Sequence, residues 1–537
     1  MYHSHEADRE YPIGTIFDTL FEIETSVPGD RKIYIDYEHP ETYLTRETLK
    51  RDILLFAQGL KDEYSFKQGD IMAICSPNHV DWAVALQAPP ILGAVSACVV
   101  AGEGNHNVVE DMLLAKPKLI IAHEETLEAV KRAAKKLGLK DEDILVFGNK
   151  TIDGIKPFRT TLMNHSSLAI PIKPSLEYLT TEPAYIYYTS GTSGTKKMVT
   201  ITHTNIVAAM YSRDYWLKPD ARYLSYASNA HSTAMVIAMN VCIKEGTETY
   251  LMKNFSLKEY CVAIQKYKIQ FTIIQPWVAA ALAREPFVED YDLSSILVAF
   301  SAGSPLDTVT ISRFMKRHKF PLLSGFGMTE IISGLKLCNE AAKRGSVGRL
   351  CPNFTAKIIN ENGEEIMNGT MGELCLRGPV VTPGYYNNPK ATEAAIDKDG
   401  FFHCGDFFRV DEDGFFYFIS RIKDIIKYYG YQISPSIIED ILITHPDVSE
   451  CCVVGHYSEE LFTELPKAFV VLRSAQANKP TEEELISYTN NQLPNQMHIR
   501  GGLVFLDSLP RSSLGKVQRN SLRHQIGQET LTMIQSQ

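Results

Sequence analysis

Tyr187-Tyr188-Thr189-Ser190-Gly191-Thr192-Ser193-Gly194-Thr195-Lys196-Lys197 follows the mostly apolar run Ala184 to Tyr188 and precedes Met198-Val199-Thr200-Ile201. The flanking runs read as strands, so the polar stretch is the turn between them. Gly191 and Gly194 open backbone angles closed to other residues. The hydroxyls of Thr189, Ser190, Thr192 and Ser193, with successive backbone N–H groups, can then face one phosphate cluster. Lys197 adds a positive charge without a fixed geometry. A strand–loop–helix with Gly-Lys-Ser/Thr is missing, so this is not a P-loop of the Walker kind. Many Ser/Thr/Gly-rich hairpins are only surface turns; other stretches decide here.

Working outward, strands alternate with helices on both sides of this turn. Before it come strands at Ile71–Ile74, Val95–Val100, Leu119–Ile121 and Ile144–Phe147, with helices at Val80–Leu86, Val108–Leu114 and Glu125–Leu137. After it come strands at Tyr223–Ala227, Phe271–Ile274, Ile296–Phe300 and Leu322–Ser324, with helices at Ile206–Tyr215, Ser232–Lys244, Leu257–Tyr267, Ala279–Arg284 and Ile311–Arg317. Such alternation predicts parallel sheets covered on both faces. Residues 346–381 change to short β-prone pieces, suggesting a small antiparallel or barrel-like sheet. The boundary falls at Ser420-Arg421, giving a large domain over 1–420 and a small α+β piece over 421–537. The fold class is therefore α/β: two α/β sheet subdomains, a small β-barrel-like subdomain, and a C-terminal α+β lid.

The chain has 537 residues, too many for one ordinary core. A formal charge of −10 with no basic face argues against nucleic acid as a partner. Ten cysteines lack the close pairs of a zinc site and read as reduced thiols. Trp82 to Ala101 is almost wholly apolar, but Gln87 and Pro89-Pro90 argue for a buried helix, a turn and a strand rather than a membrane span. The polar N-terminus excludes a secretory signal, and the ending Gln535-Ser536-Gln537 is not a peroxisomal address, so a cytoplasmic location is expected.

Four further stretches stand out: Thr202-His203-Thr204-Asn205, Gly325-Phe326-Gly327-Met328-Thr329-Glu330, the run from Gly405-Asp406 to Arg421, and Ser513-Leu514-Gly515-Lys516. With the phosphate turn, their order and spacing resemble the adenylate-forming superfamily of acyl- and aryl-CoA ligases, beetle luciferases and peptide-synthetase adenylation domains. The likeness covers nearly the whole chain and looks closest to the coumarate-CoA ligase and luciferase branch.

That resemblance implies an enzyme using ATP, Mg²⁺ and coenzyme A on a carboxylic acid, with a lid that rotates between half-reactions. It implies Thr189, Ser190, Gly191, Thr192, Ser193, Gly194 and Lys197 at the triphosphate and Gly325, Phe326 and Gly327 at the adenine. Asp406 and Arg421 match residues at the ribose and phosphate, Thr329 and Glu330 those at the metal. Glu330 alone could equally be a buried, core-paired carboxylate. Lys516 matches the catalytic lysine, though a lysine in a Gly-containing loop is usually just solvated. His231 matches the residue that gates the thiol, with a satisfied core histidine as the alternative. Lys427, Gly430, Tyr431 and Gln432 match the turn that lines the pantetheine tunnel.

The acid pocket is expected from Thr233, Met235, Trp277, Ala302, Gly303, Ser324 and Ile331, small and apolar groups suited to an aryl or medium-chain acid. Thr233 stands where peptide-synthetase domains carry an Asp, which disfavours an α-amino acid. Four departures from the pattern are Lys196 for Pro, Met198 for Gly, Ser228-Asn229-Ala230 for a Pro-Phe-His-like run before His231, and Tyr429 where close relatives often carry Lys. They leave open a stand-alone loader of a carrier protein or luciferase-like oxidation. A monomer and a homodimer are both compatible with the chain.

Overall fold

A computed structural model describes residues 1–23, 26–101, 106–190, 196–212, 220–303, 306–332, 334–367, 369–473, 479–511 and 516–523. Gly191, Thr192, Ser193 and Gly194 of the phosphate turn, and Ser513 to Gly515 before Lys516, lie outside the described residues.

The first sheet runs Ile144–Val146, Leu119–Ala122, Ile71–Cys75, Val95–Val99, Pro183–Ser190, Lys196–Thr202 in spatial order. It is parallel except at its last pair, where Thr189 faces Lys197 across the antiparallel hairpin of the phosphate turn. Its central strands are buried throughout and read as continuous apolar runs, as sheets covered on both faces require. The apolar segment after Asp81 is a wholly buried helix, Trp82–Ile91, with Pro89 and Pro90 in its last turn. Gln87 is satisfied inside it, donating to Met239 O at 3.0 Å and accepting from Tyr185 Oη at 2.7 Å. No helix among the described residues is long and apolar enough to cross a membrane.

The second sheet runs Leu322–Ser324, Val298–Ser301, Phe271–Ile274, Arg222–Ser225, Glu248–Leu251, Lys32–Asp36, Tyr43–Thr45, parallel but for the final pair. The third is antiparallel and joins Tyr2–His3, Thr355–Ile359, Gly372–Arg377, Phe402–Val410 and Phe416–Arg421, with Glu365–Ile366 against Thr355–Ile359. Beyond Arg421 a small body carries the hairpin Ile426–Tyr428/Tyr431–Ile433, a three-stranded sheet, and helices Pro435–Leu442 and Glu482–Asn490.

Among the elements that differ from the sequence expectation, two helical ones stand out. Ser232 to Lys244 is not one helix but Ser232–Val236, a π-turn at Ile237–Val241, and Cys242–Glu245. Asn240, buried in that turn, donates to Met235 O at 2.8 Å, which occupies a carbonyl that the wider turn frees. The helix Arg46–Tyr64 was not anticipated, although Thr45 and Thr48 form a reciprocal capping box at its start.

That helix packs so closely on Phe158–Leu162 that a Cβ at Gly59 would stand 2.1 Å from Leu162 O. Gly→Ala in an open helix interior stabilises by about 0.5–1 kcal/mol. Here the backbone clash decides the sign, and overpacking costs about 1–3 kcal/mol. Gly59→Ala should therefore lower the midpoint of urea unfolding; a raised midpoint would contradict the packing.

Candidate active site

The carboxyl ends of the second sheet's strands, the edge of the third sheet and the small C-terminal body enclose one cavity of about 1880 Å³. Crevices beyond the carboxyl ends of parallel strands are where such sheets bind ligands. Ala302 and Gly303 follow the strand Val298–Ser301, and Ser324 to Gly327 follow Leu322. His231 and Thr233 enter after Arg222–Ser225, Trp277 after Phe271–Ile274, and Thr189 is the next-to-last residue of the strand before the phosphate turn. Lys197, Phe326, Thr329, Glu330, Asp406, Arg421 and Lys516 line the same space. Side chains separated by up to 327 residues thus share one cavity.

Glu330 is buried, and burial pushes its carboxyl above the usual range. Its Oε1 accepts from Tyr385 Oη at 2.9 Å, while Oε2 is buried with no hydrogen-bond partner among the described residues. An orphaned carboxylate oxygen in a cavity wall is costly unless a cation or donor reaches it. Tyr385 also lies under Lys197, whose Nζ is 4.5 Å from the ring centroid. The segment 384–386 reaches this place by bridging onto the strand Lys196–Thr202, with Tyr386 N–H donating to Met198 O at 2.7 Å. Met198, where the resembled pattern has Gly, is buried in that strand. Lys196 does not face the cavity as a free charge: its Nζ lies 2.6 Å from Asp111, whose buried carboxyl is pushed up to about 6 by desolvation against the pull of Lys196.

Asp406 and Arg421 are register partners on neighbouring strands, with Arg421 Nε 3.9 Å from Asp406 Oδ1. Burial raises the Asp406 carboxyl to about 6, and Arg421 opposes the rise. Phe326 meets Phe408 edge-on at 4.8 Å, leaving its other surface toward the cavity. The small body delivers Lys516. It sits just before Val517, which is bridged to Arg511, and Gln518 N–H donates to Pro510 O at 2.8 Å. Its Cε is 3.9 Å from where a Cβ on Gly303 would stand. Burial and the Arg421 charge bring the ammonium down to about 8, while Glu330 and Asp406 pull it up. His231, at the start of Ser232–Val236, is held down at about 4 by burial and by Lys516, so it is neutral at physiological pH.

Some expected residues lie elsewhere. Met235 and Ile331 are fully buried in the main core and line no part of the cavity. Thr233, Val236 and Ile237 form the wall, the i, i+3, i+4 face of their helix, and Met235 points off that face. Ile332 takes the place of Ile331, because its backbone turns left-handed at φ 56°. Lys427, Gly430, Tyr431 and Gln432 are on the exposed hairpin of the small body, outside the cavity. Gly430 supplies its turn at φ 83°, and Gln432 contacts Glu361 of the large domain. Trp277 is half-exposed on the wall, edge-on to Phe255 at 5.2 Å. Sequence reasoning missed Tyr385 and Glu373; the only local signal for Tyr385 is the turn-prone Pro383-Gly384-Tyr385-Tyr386-Asn387.

The family profile described as AMP-binding enzyme matches residues 21–386, and that described as AMP-binding enzyme C-terminal domain matches 437–516. The probable 4-coumarate–CoA ligase 3 of Dictyostelium discoideum is 31% identical over 86% of this chain and 87% of its own length. The luciferin 4-monooxygenase of Photuris pensylvanica is also 31% identical, over 90% of each chain. The fold matches the crystal structure of ATP-bound MatB from Rhodopseudomonas palustris with a TM-score of 0.84 at 22% identity, covering 95% of this chain and 98% of that one.

The Tyr385 hydroxyl donates to the charged form of Glu330, so removing it must favour the protonated form. Tyr385→Phe should make the infrared band of the protonated carboxyl, assigned by its loss in Glu330→Gln, appear at higher pH than in the unaltered protein. An unmoved titration would contradict the hydrogen bond.

Proposed function

We propose, starting from a chain that belongs to the AMP-binding enzyme family, that it joins an aryl or medium-chain carboxylic acid to coenzyme A at the expense of ATP. The reaction class is that of an acyl-CoA ligase: the acid's carboxylate attacks the α-phosphorus, pyrophosphate leaves, and a thiol then displaces AMP from the acyl-adenylate. What supports the reading is the buried ammonium of Lys516, carried by the small body into a cavity that Glu330, Asp406, Arg421 and His231 share.

In this reading residues 1–420 bind the substrates and 421–537 act as the lid. Asp406 accepts from the ribose hydroxyls, Phe326 lies against the base, and Thr189 and Lys197 face the phosphates with the turn they flank. Glu330 would hold Mg²⁺, and its unpartnered Oε2 fits a hard cation that prefers oxygen ligands. Mg²⁺ bound there supplies neutralisation of phosphate charge. Lys516 opposes the charge that grows as the two anions meet. Neutral His231 stands beside Lys516 without adding a second positive charge near the acyl carbonyl. Thr233, Val236, Trp277 and Gly303 frame one wall with a single indole among small and apolar groups, which suits an apolar acid. Gly430 and its hairpin serve the thiol step after the lid turns.

A second reading keeps the adenylate and changes its fate, to a carrier-protein thiol or to oxidation as in the luciferin monooxygenase relative. Tyr429 favours it, an exposed aromatic at φ 42° where close relatives often carry lysine.

The test separates the half-reactions. Lys516→Ala should lower the rate of acid-dependent AMP formation by about 10²–10³, yet still convert synthetic acyl-adenylate to the CoA thioester. Lys516 acts as the ammonium and loses its proton above about 8, and Asp406 acts as the carboxylate and gains one below about 6. The kcat/KM for adenylation should therefore fall on both sides of that window. A near-normal rate for Lys516→Ala would refute the role. Failure of the unaltered protein to thiolyse the adenylate with CoA would favour the second reading.

A further inference from the structure

Glu373, Cys375 and His403 form a cluster that the reaction above does not use. Glu373 and Cys375 lie two residues apart on the strand Gly372–Arg377, and Cys375 is the register partner of His403 on Phe402–Val410. The ladder shifts between Glu373 and Cys375, an irregularity that re-aims side chains. One donor atom from each residue lies within 4.8 Å of the other two.

The separations are specific. His403 Nδ1 is 3.3 Å from Glu373 Oε2 and 3.6 Å from Cys375 Sγ. Ligands on a tetrahedral zinc ion, with N and O about 2.0–2.1 Å and S about 2.3 Å from the metal, stand about 3.3 Å (N to O) and about 3.6 Å (N to S) apart. The distances match the edges of that polyhedron.

The surroundings fix the donors. Glu373 Oε1 is taken by the Gly405 N–H at 3.1 Å, leaving Oε2 toward the histidine. His403 Nε2 is 3.7 Å from Asp397 Oδ2, and Asp397 is itself held by Lys357 at 2.5 Å and by the N–H groups of Asp399 and Phe401 at 2.9 Å. A carboxylate behind a metal-binding histidine is the usual outer support of such a ligand. His403 Nδ1, Glu373 Oε2 and the Cys375 sulfur converge on one point, and a cation that displaces the thiol proton would be held by all three. Glu373 and His403 line the cavity, which gives an ion a path in and a water as fourth ligand.

We propose that Glu373, Cys375 and His403 bind a thiophilic divalent cation of the zinc class, at a site separate from the oxygen-rich one at Glu330. Mg²⁺ is excluded by the sulfur and nitrogen donors. Because Glu373 also holds Gly405, the residue before Asp406, the ion would brace the corner of the cavity assigned to the ribose.

The test uses the reduced, metal-stripped full chain with Co²⁺ as the probe. One equivalent should produce a thiolate-to-cobalt charge-transfer band with tetrahedral visible absorption, bleached by Zn²⁺ and untouched by excess Mg²⁺. Cys375→Ala should abolish the band, Cys451→Ala should leave it, and Asp397→Asn should keep it while weakening affinity about 10–100-fold. Zinc-edge anomalous diffraction from crystals of the unaltered protein makes the test independent of how Cys375→Ala folds, and should place one peak among the three donors. Absence of the band, its survival in Cys375→Ala, or an anomalous peak only elsewhere would overturn the proposal and leave the three side chains as a polar cluster without an ion.

Discussion

A lysine ammonium buried by one body inside a cavity built by another is the constraint on which the rest of this structure depends. Lys516 stands close to Arg421, and both are positive; burial and that neighbour together lower its proton affinity. Glu330 and Asp406 work the other way, and both are carboxyls raised by their own burial. On the small body's helix Pro435–Leu442 like charges also approach, since Asp440 is pushed up to about 7 by burial and by Asp307 of the large domain. An anion entering between Lys516 and Arg421 would relieve their repulsion, so this arrangement gains most when a phosphate is present.

The same logic explains the cavity's other charges. Each cation is either matched locally or left facing the open space. Lys196 is matched by Asp111 and belongs to the wall, whereas Lys197 rests over the Tyr385 ring with its charge toward the cavity. Among carboxyls, Glu330 keeps one oxygen on Tyr385 and one unpartnered, the arrangement expected where a cation must come and go. The sheets supply the rigidity, since most of these groups sit at strand ends whose neighbours are buried and hydrogen-bonded.

Much of this was legible in the sequence, because strand-and-helix alternation and short motifs are local signals. The parallel order of the two large sheets follows from the alternation, and sixteen residues from Thr189 to Lys516 named for the site line the cavity. What was not legible depends on contacts far apart in the chain or on one residue of helical phase. Tyr2–His3 pairs with Thr355–Ala356, and Lys32–Asp36 joins a strand more than 200 residues later. Met235 and Ile331 were each one position from the true wall, because Met235 points off the i, i+3, i+4 face of its helix and the left-handed backbone at Ile332 brings that residue in instead. The hairpin of Lys427 and Gly430 could not be placed from sequence, since a turn read from its residues does not say which body it faces. Tyr385 and Glu373 act through partners 55 and 32 residues away and carry no motif of their own.

The central claim is that this cavity activates a carboxylate on the α-phosphate of ATP. Exchange of labelled pyrophosphate into ATP, measured with Mg²⁺ and a panel of aryl and medium-chain acids, tests it without reference to any later step. The account predicts exchange that requires the acid and is strongest for apolar, uncharged side groups; no exchange with any acid of the panel would contradict it.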